Sequence, residues 1–218
     1  MGTGQRIDVF VEAGRKRVFA SALDWPGLAR SGKTEELAVV ALADYLPRYA
    51  AVASRAGLEP PGGDVVVVER LPWVAKLADF GALSAPAAAE EKPISAGEGR
   101  RFAALLRAAW TEFESAARAA PDVLPKGPRG GGRDTDAIVD HVTETEVMHA
   151  AKLGIKLPRP EPEGDAASAW LRSAMLEALE AGIDGVPGGA SAWPPRYVVR
   201  RSGWHLLDHA WELQDKSG

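Results

Sequence analysis

The sequence predicts an α+β module at the N-terminus followed by an all-α four-helix bundle. Three observations carry this reading. Short runs of β-branched and aromatic residues gather before residue 71. Residues 84–97 (SAPAAAEEKPISAG) hold few large apolar side chains. Beyond them, apolar residues recur at helical spacing in four long segments. The expected division is a small α/β module over 1–83, a linker over 84–95 and the bundle over 96–218.

Residues 7–12 (IDVFVE) and 17–22 (RVFASA) read as strands, and Ala13 with Gly14 between them predicts a hairpin. The stretch DWPGLARSGKTEE is punctuated by Pro26, Gly27 and Gly32 and reads as a loop. Thr34 suits a helix N-cap, and Glu35 and Glu36 suit the positive end of the helix dipole. That helix is expected to reach about residue 53, with Leu37, Val40, Ala41 and Tyr45 toward a core and Pro47 bending its end. Residues 64–70 (DVVVVER) form a continuous apolar run, the mark of a strand buried on both faces.

Ser95 and Glu98 stand at capping-box spacing and open the first bundle helix, expected over 96–119 with Phe102, Leu105, Leu106, Trp110 and Phe113 inward. The second is expected over 135–153 with Ile138, Val142 and Leu153. The third, over 166–181, carries Trp170, Leu171, Met175 and Leu179 and stops at Gly182. The fourth starts after Pro194 and runs over 195–215. Trp193, Trp204 and Trp211 suit the lining of a pocket, although tryptophans in a bundle are usually core. Residues 126–133 (KGPRGGGR) superficially suggest a phosphate cradle, but the closing Gly-Lys-Ser/Thr of a P-loop is missing.

A net charge of -4 argues against general nucleic-acid binding. The chain has no cysteine, which excludes disulfides, thiolate ligands and a cysteine nucleophile. Any thiol in its chemistry must therefore arrive on a small molecule. The N-terminal residues lack the apolar core of a signal peptide, and no apolar run approaches the roughly 18 residues of a membrane span. A cytoplasmic location is expected, with no membrane partner.

The chain spends two of its four histidines within GWHLLDHAWELQD. Each helical residue turns about 100°, so His205 and His209 share a face, Glu212 falls on it, and Asp208 and Arg201 flank it. Two imidazoles at this spacing can reach one ion, and a third ligand has to come from His141 or His149. The same spacing suits a solvated face, and the residues alone leave both readings open. His149 lies nearer the apolar stripe of Ile138 and Val142 and reads as a packed side chain. Glu212 suits a general base, a residue that orients a ligand, or a solvated carboxylate. Arg201 suits a clamp on a carboxylate or phosphate, or a surface salt bridge. Asp208 is expected to face solvent.

RYVVRRSGWHLLDHAWELQD resembles the last helix of the DinB-like superfamily, and DAIVDHVTETEVMHAAKLGI resembles the second helix of the same bundle. That superfamily includes mycothiol-dependent maleylpyruvate isomerases and bacillithiol transferases. Many members bind a divalent metal through one histidine of the second helix and two of the last. The resemblance spans roughly residues 95–215 and implies His141, His205 and His209 as ligands of zinc, nickel or iron. It further implies a metal-dependent enzyme, a thiol-dependent transferase or isomerase acting on a small molecule with a low-molecular-weight thiol as cofactor. On this reading Glu212 is the catalytic residue, Arg201 binds substrate, and a homodimer is a possible assembly. The alternative is a non-catalytic stress-response or binding protein with a vestigial site.

The segment ASALDWPGLARSGKTEELAVVALADYL resembles the HicB-type antitoxin N-terminal fold through Pro26, Gly27, Ser31, Gly32, Thr34, Glu35 and Glu36. It implies a small sheet with one helix, and an adaptor or antitoxin-like role as a further alternative.

Overall fold

The computed structural model describes residues 6–126, 132–159, 161–162, 164–185 and 192–217. The glycine-rich stretch 127–131 of the loop considered above lies outside them.

β1 (Arg6–Ala13) and β2 (Val18–Ala22) pair antiparallel and form the expected hairpin. Its turn is held from outside, because the Asp79 carboxylate accepts the backbone N–H groups of Arg15, Lys16 and Arg17 at 3.0, 2.6 and 3.2 Å. The Pro-Gly loop differs from expectation. It contains a third strand, β3 (Ala29–Gly32), paired antiparallel with β2. ARSG has no strand propensity of its own, and its pairing comes from lying against the exposed edge of β2. β4 (Asp64–Arg70) pairs parallel with β1 and completes a mixed sheet in the order β3-β2-β1-β4. β4 was expected to be buried on both faces. It is instead an edge strand with Val68 exposed, because β1 is its only partner.

The helix expected to reach residue 53 is two helices, α1 (Glu35–Asp44) and α2 (Leu46–Arg55), bent by 50°. Thr34 caps α1 by accepting from Leu37 N at 3.3 Å, and Pro47 sits in the first turn of α2, where its missing N–H is harmless. α1 buries Ala38 and Leu42 and leaves Leu37 and Val40 exposed, so its inward face is rotated from the expected one.

The two faces of the sheet are covered differently. Ile7, Val9 and Val11 join Leu42, Tyr49 and Val52 in a core that continues through the C-terminal helices. Phe10 and Phe19, on the other face, pack with Leu71, Ala75, Ala78, Leu83 and Trp204. Residues 71–91 thus run across the sheet with two short 3-10 turns, Lys76–Phe80 and Ala88–Glu91.

The remaining helices are α3 (Ala96–Ala119), α4 (Thr135–Lys152), α5 (Asp165–Ala181) and α6 (Pro195–Ser217), close to the spans read from the sequence. The capping box at Ser95 is present. Glu98 N donates to Ser95 Oγ at 3.3 Å, and Ser95 N donates to Glu98 Oε2 at 3.1 Å. α3 and α4 each pack against both α5 and α6.

The fold class expected for residues 96–218 requires correction, because an all-α four-helix bundle is not what these residues make. One apolar core joins Val9, Ala20 and Ala22 of the sheet, Leu42 and Tyr49 of α1 and α2, and Leu105, Leu206, Leu207 and Trp211 of the later helices. The molecule is a mixed sheet with six helices among the described residues. The physical reason lies on α6, which is apolar around much of its circumference. Val198, Val199, Trp204, Leu206, Leu207, Ala210 and Trp211 are all buried, and such a helix needs cover on more than one side.

Gly203 makes that cover close. A Cβ there would stand 2.9 Å from Pro26 C and 3.0 Å from Gly27 N, so the α6 backbone lies directly on the Pro-Gly loop. Gly27 itself adopts φ 99°, a left-handed conformation that glycine takes without strain. Tyr49 Oη donates to Pro26 O at 2.7 Å from the opposite side. Gly203→Ala is expected to destabilise the fold by about 1–3 kcal/mol through overpacking. A urea midpoint lowered at unchanged m-value would show it. Among the described residues, no single helix is long and apolar enough to cross a membrane.

Candidate metal centre

α4 and α6 are neighbours, each set by its own apolar face. Ile138 and Val142 hold α4 inward, and Leu206, Leu207 and Ala210 hold α6. These faces leave His141 of α4 opposite His205 and His209 of α6. His141 Nε2 lies 3.1 Å from His205 Nε2. Ring centroids are 4.9 Å apart for His141–His205, 5.2 Å for His141–His209 and 4.7 Å for His205–His209. One ligand atom from each ring lies within 4.8 Å of the others, close enough to hold a metal ion.

The geometry can be tested against a known ion. Bonds of about 2.05 Å in a tetrahedral zinc site put neighbouring nitrogens about 3.3 Å apart. The His141–His205 pair already stands at 3.1 Å, and small side-chain rotations would bring His209 to the same centre.

The protonation states favour ligation. Burial, then repulsion from His209, His149 and His141, holds His205 down to about 2. Burial and the Arg133 charge also lower His141. These imidazoles are therefore neutral near pH 7, the form that binds metal. Glu212 is held at about 2 by its hydrogen bond with His209 and by Lys216. An ionised carboxylate only accepts, so His209 Nδ1–H must donate to Glu212 Oε2 across their 3.0 Å separation. That leaves Nε2 as the His209 atom free to join a shared centre with the other two rings. Lys216 Nζ donates to Glu212 Oε1 at 2.5 Å. Both Glu212 oxygens are thus engaged, one by His209 and one by Lys216. Glu212→Ala is expected to weaken metal affinity about 10–100-fold, read by competition with a chelating dye.

The three rings line a cleft of about 420 Å³. Arg201 is at its wall, where its Nη1 donates to Leu83 O and, at 3.0 Å, to Tyr197 Oη. Asp208 was expected to face solvent. It lines the same cleft and accepts from Arg30 Nη1 at 2.8 Å, while the Arg30 guanidinium lies 3.8 Å above the Tyr45 ring.

Further residues line the cleft that the sequence does not mark as site residues, among them Arg133, Thr145 and Met148. Phe80, Gly81 and Ala82 wall it from the strap that crosses the sheet, and nothing in their local sequence marks them. His149 also lines it, with Nδ1 3.0 Å from Ser202 Oγ. Its signal was present in the sequence, since eight residues beyond His141 is only about 80° around a helix.

In the metal-free protein, burial also pushes His149 down to about 3. Both His149 and His205 bind protons less readily folded than unfolded, where histidine titrates near 6.5. The unfolded state therefore takes up more protons as pH falls below about 6.5, and the folded state loses stability. Metal-free protein is expected to show a lower urea midpoint at about pH 5 than at about pH 7.5.

No family model matches the chain, and no curated protein or solved structure is found to be similar to it.

Proposed function

We propose that the protein is a metal-dependent enzyme acting on a small molecule, with His141, His205 and His209 holding zinc, nickel or iron. The observation that carries this reading is the convergence of three imidazoles on one wall of a cleft. Three protein ligands leave a coordination position for a substrate or water, as catalytic sites do. Such an ion supplies Lewis-acid chemistry, acidifying a bound water or thiol or polarising a carbonyl. The protein's own part is to wall the site with Trp204, to orient His209 through Glu212, and to hold positive charge at Arg201. The resemblance of the two histidine segments to DinB-like proteins supports the same ligand set. The absence of cysteine supports a small-molecule thiol as the nucleophile, which makes a thiol-dependent transferase or isomerase the favoured class.

The test is elemental analysis of untagged protein, followed by a thermal-shift series with N-acetylcysteine on the metal-loaded form. Near-stoichiometric metal and a thiol-dependent rise in Tm support the reading. A wild type that stays metal-free after zinc, nickel and iron supplementation defeats it.

A second reading is favoured by one separate observation. Trp73, Val74, Leu77 and Phe80 are exposed together on the strap, with Phe80 at 86%. That surface suits an adaptor contacting a partner protein. Phe80→Ser with Trp73→Ser should abolish any partner recovered by cross-linking, while metal content stays unchanged.

A further inference from the structure

Two residues that line the cleft each carry a buried polar atom with no hydrogen-bond partner. His149 and Trp204 both line it, at 2% and 5% exposure. His149 Nε2 and Trp204 Nε1 are each buried and without a hydrogen bond. A buried polar atom left unpaired is costly, so such atoms call for an explanation.

Their chemistry is specific. An indole N–H only donates. Trp204 is fixed edge-to-face against Phe19 at 5.8 Å between centroids, so the indole is held in place by packing. Ser202 stands beside His149 Nδ1 at 3.0 Å. With the hydroxyl as donor, the imidazole proton resides on Nε2, and His149 also presents an N–H. Around these donors the charge is positive. Arg133 and Arg201 line the cleft, and its one acidic residue, Asp208, is paired with Arg30.

We propose that the cleft receives an oxyanion-bearing ligand whose oxygens accept from His149 Nε2–H and Trp204 Nε1–H. The Arg201 guanidinium balances its charge. This inference rests on the metal reading, because the same ligand fills the coordination position beside the three histidines. Carboxylates and phosphates share the required chemistry. The thiol proposed above remains a separate co-substrate.

The test uses the full chain loaded with cobalt(II), whose visible absorption reports changes in its ligands. Acetate, inorganic phosphate and neutral acetamide are titrated separately at constant ionic strength. Acetate or phosphate is expected to perturb the spectrum saturably, the better of the two identifying the oxyanion, and acetamide is expected not to. Trp204→Phe keeps the ring against Phe19 and removes only the donor. It should retain cobalt and lose oxyanion affinity about tenfold or more. His149→Leu, which has no donor, is the independent second variant, with the same expected loss. If the wild type takes up no cobalt, the metal reading and this inference fall together. If cobalt binds but neither anion outcompetes acetamide, or both variants bind the anion as wild type does, only this inference is overturned.

Discussion

Replacing His205 by alanine is expected to remove the metal altogether. His205 is the most buried of the three rings by its surroundings, and its Nε2 already lies 3.1 Å from that of His141. Its loss leaves His141 and His209 on separate helices with two nitrogens and no closed site. Affinity should fall by more than the roughly 100-fold cost of losing an orienting partner. The effect on stability follows by linkage. At a free metal concentration 100 times the dissociation constant, wild type gains about 2.7 kcal/mol. For a chain of this size that raises Tm by roughly 5–10 °C. His205→Ala should show no such rise, and elemental analysis should find it empty. A variant that keeps full metal content and the full metal-induced shift would refute the assigned ligand set.

Breaking the buried ion cluster beneath the site is expected to have a comparably large effect on folding. Arg200 is almost wholly enclosed. Its Nε donates to Glu90 Oε1 at 2.7 Å and its Nη2 to Glu90 Oε2 at 2.9 Å. Its Nη1 reaches Glu12 Oε2 at 3.4 Å. Glu12 Oε1 accepts from Ser84 N at 2.6 Å and Ala85 N at 2.9 Å, so every charged group is hydrogen-bonded. Pairing with Glu90 and Glu12 raises the Arg200 pKa despite its burial. Glu90→Ala leaves a buried guanidinium short of its main counter-charge, at an expected loss of about 3–5 kcal/mol. The urea midpoint should fall accordingly, whereas Arg107→Ala, which breaks an exposed pair with Glu180, should move it far less. Equal effects from the two substitutions would show that the buried cluster has no special role.

The parts of the fold legible in the sequence are those fixed locally. The Ser95–Glu98 box, the Thr34 cap and the periodicity of the four long helices each depend on residues within a few turns. His205 and His209 were legible for the same reason. Their meeting with His141 followed only from a family resemblance, since the two segments lie 64 residues apart. Contacts made at long range were not legible. Glu12 and Arg200 stand 188 positions apart, and nothing local to Glu12 in its strand hints at that partner. The segment 84–95, low in large side chains, read as a linker, yet Glu90 within it is buried against Arg200. β3 escaped notice because ARSG gains its strand character only from β2. His149 was legible as a packed side chain from its place beside the Ile138 and Val142 stripe, and it is buried, while its place in the wall of the cleft was not legible.

Glu12 also bears on the order of events during synthesis. A carboxylate on the first strand awaits a guanidinium that lies 188 positions later in the chain. Until then Phe10 and Phe19 lack the Trp204 ring that shields them, and the nascent chain carries an unfinished, sticky surface. Two of the three imidazoles arrive on that same helix, so a chain stalled before residue 200 would display His141 without the partners that could close a metal site around it.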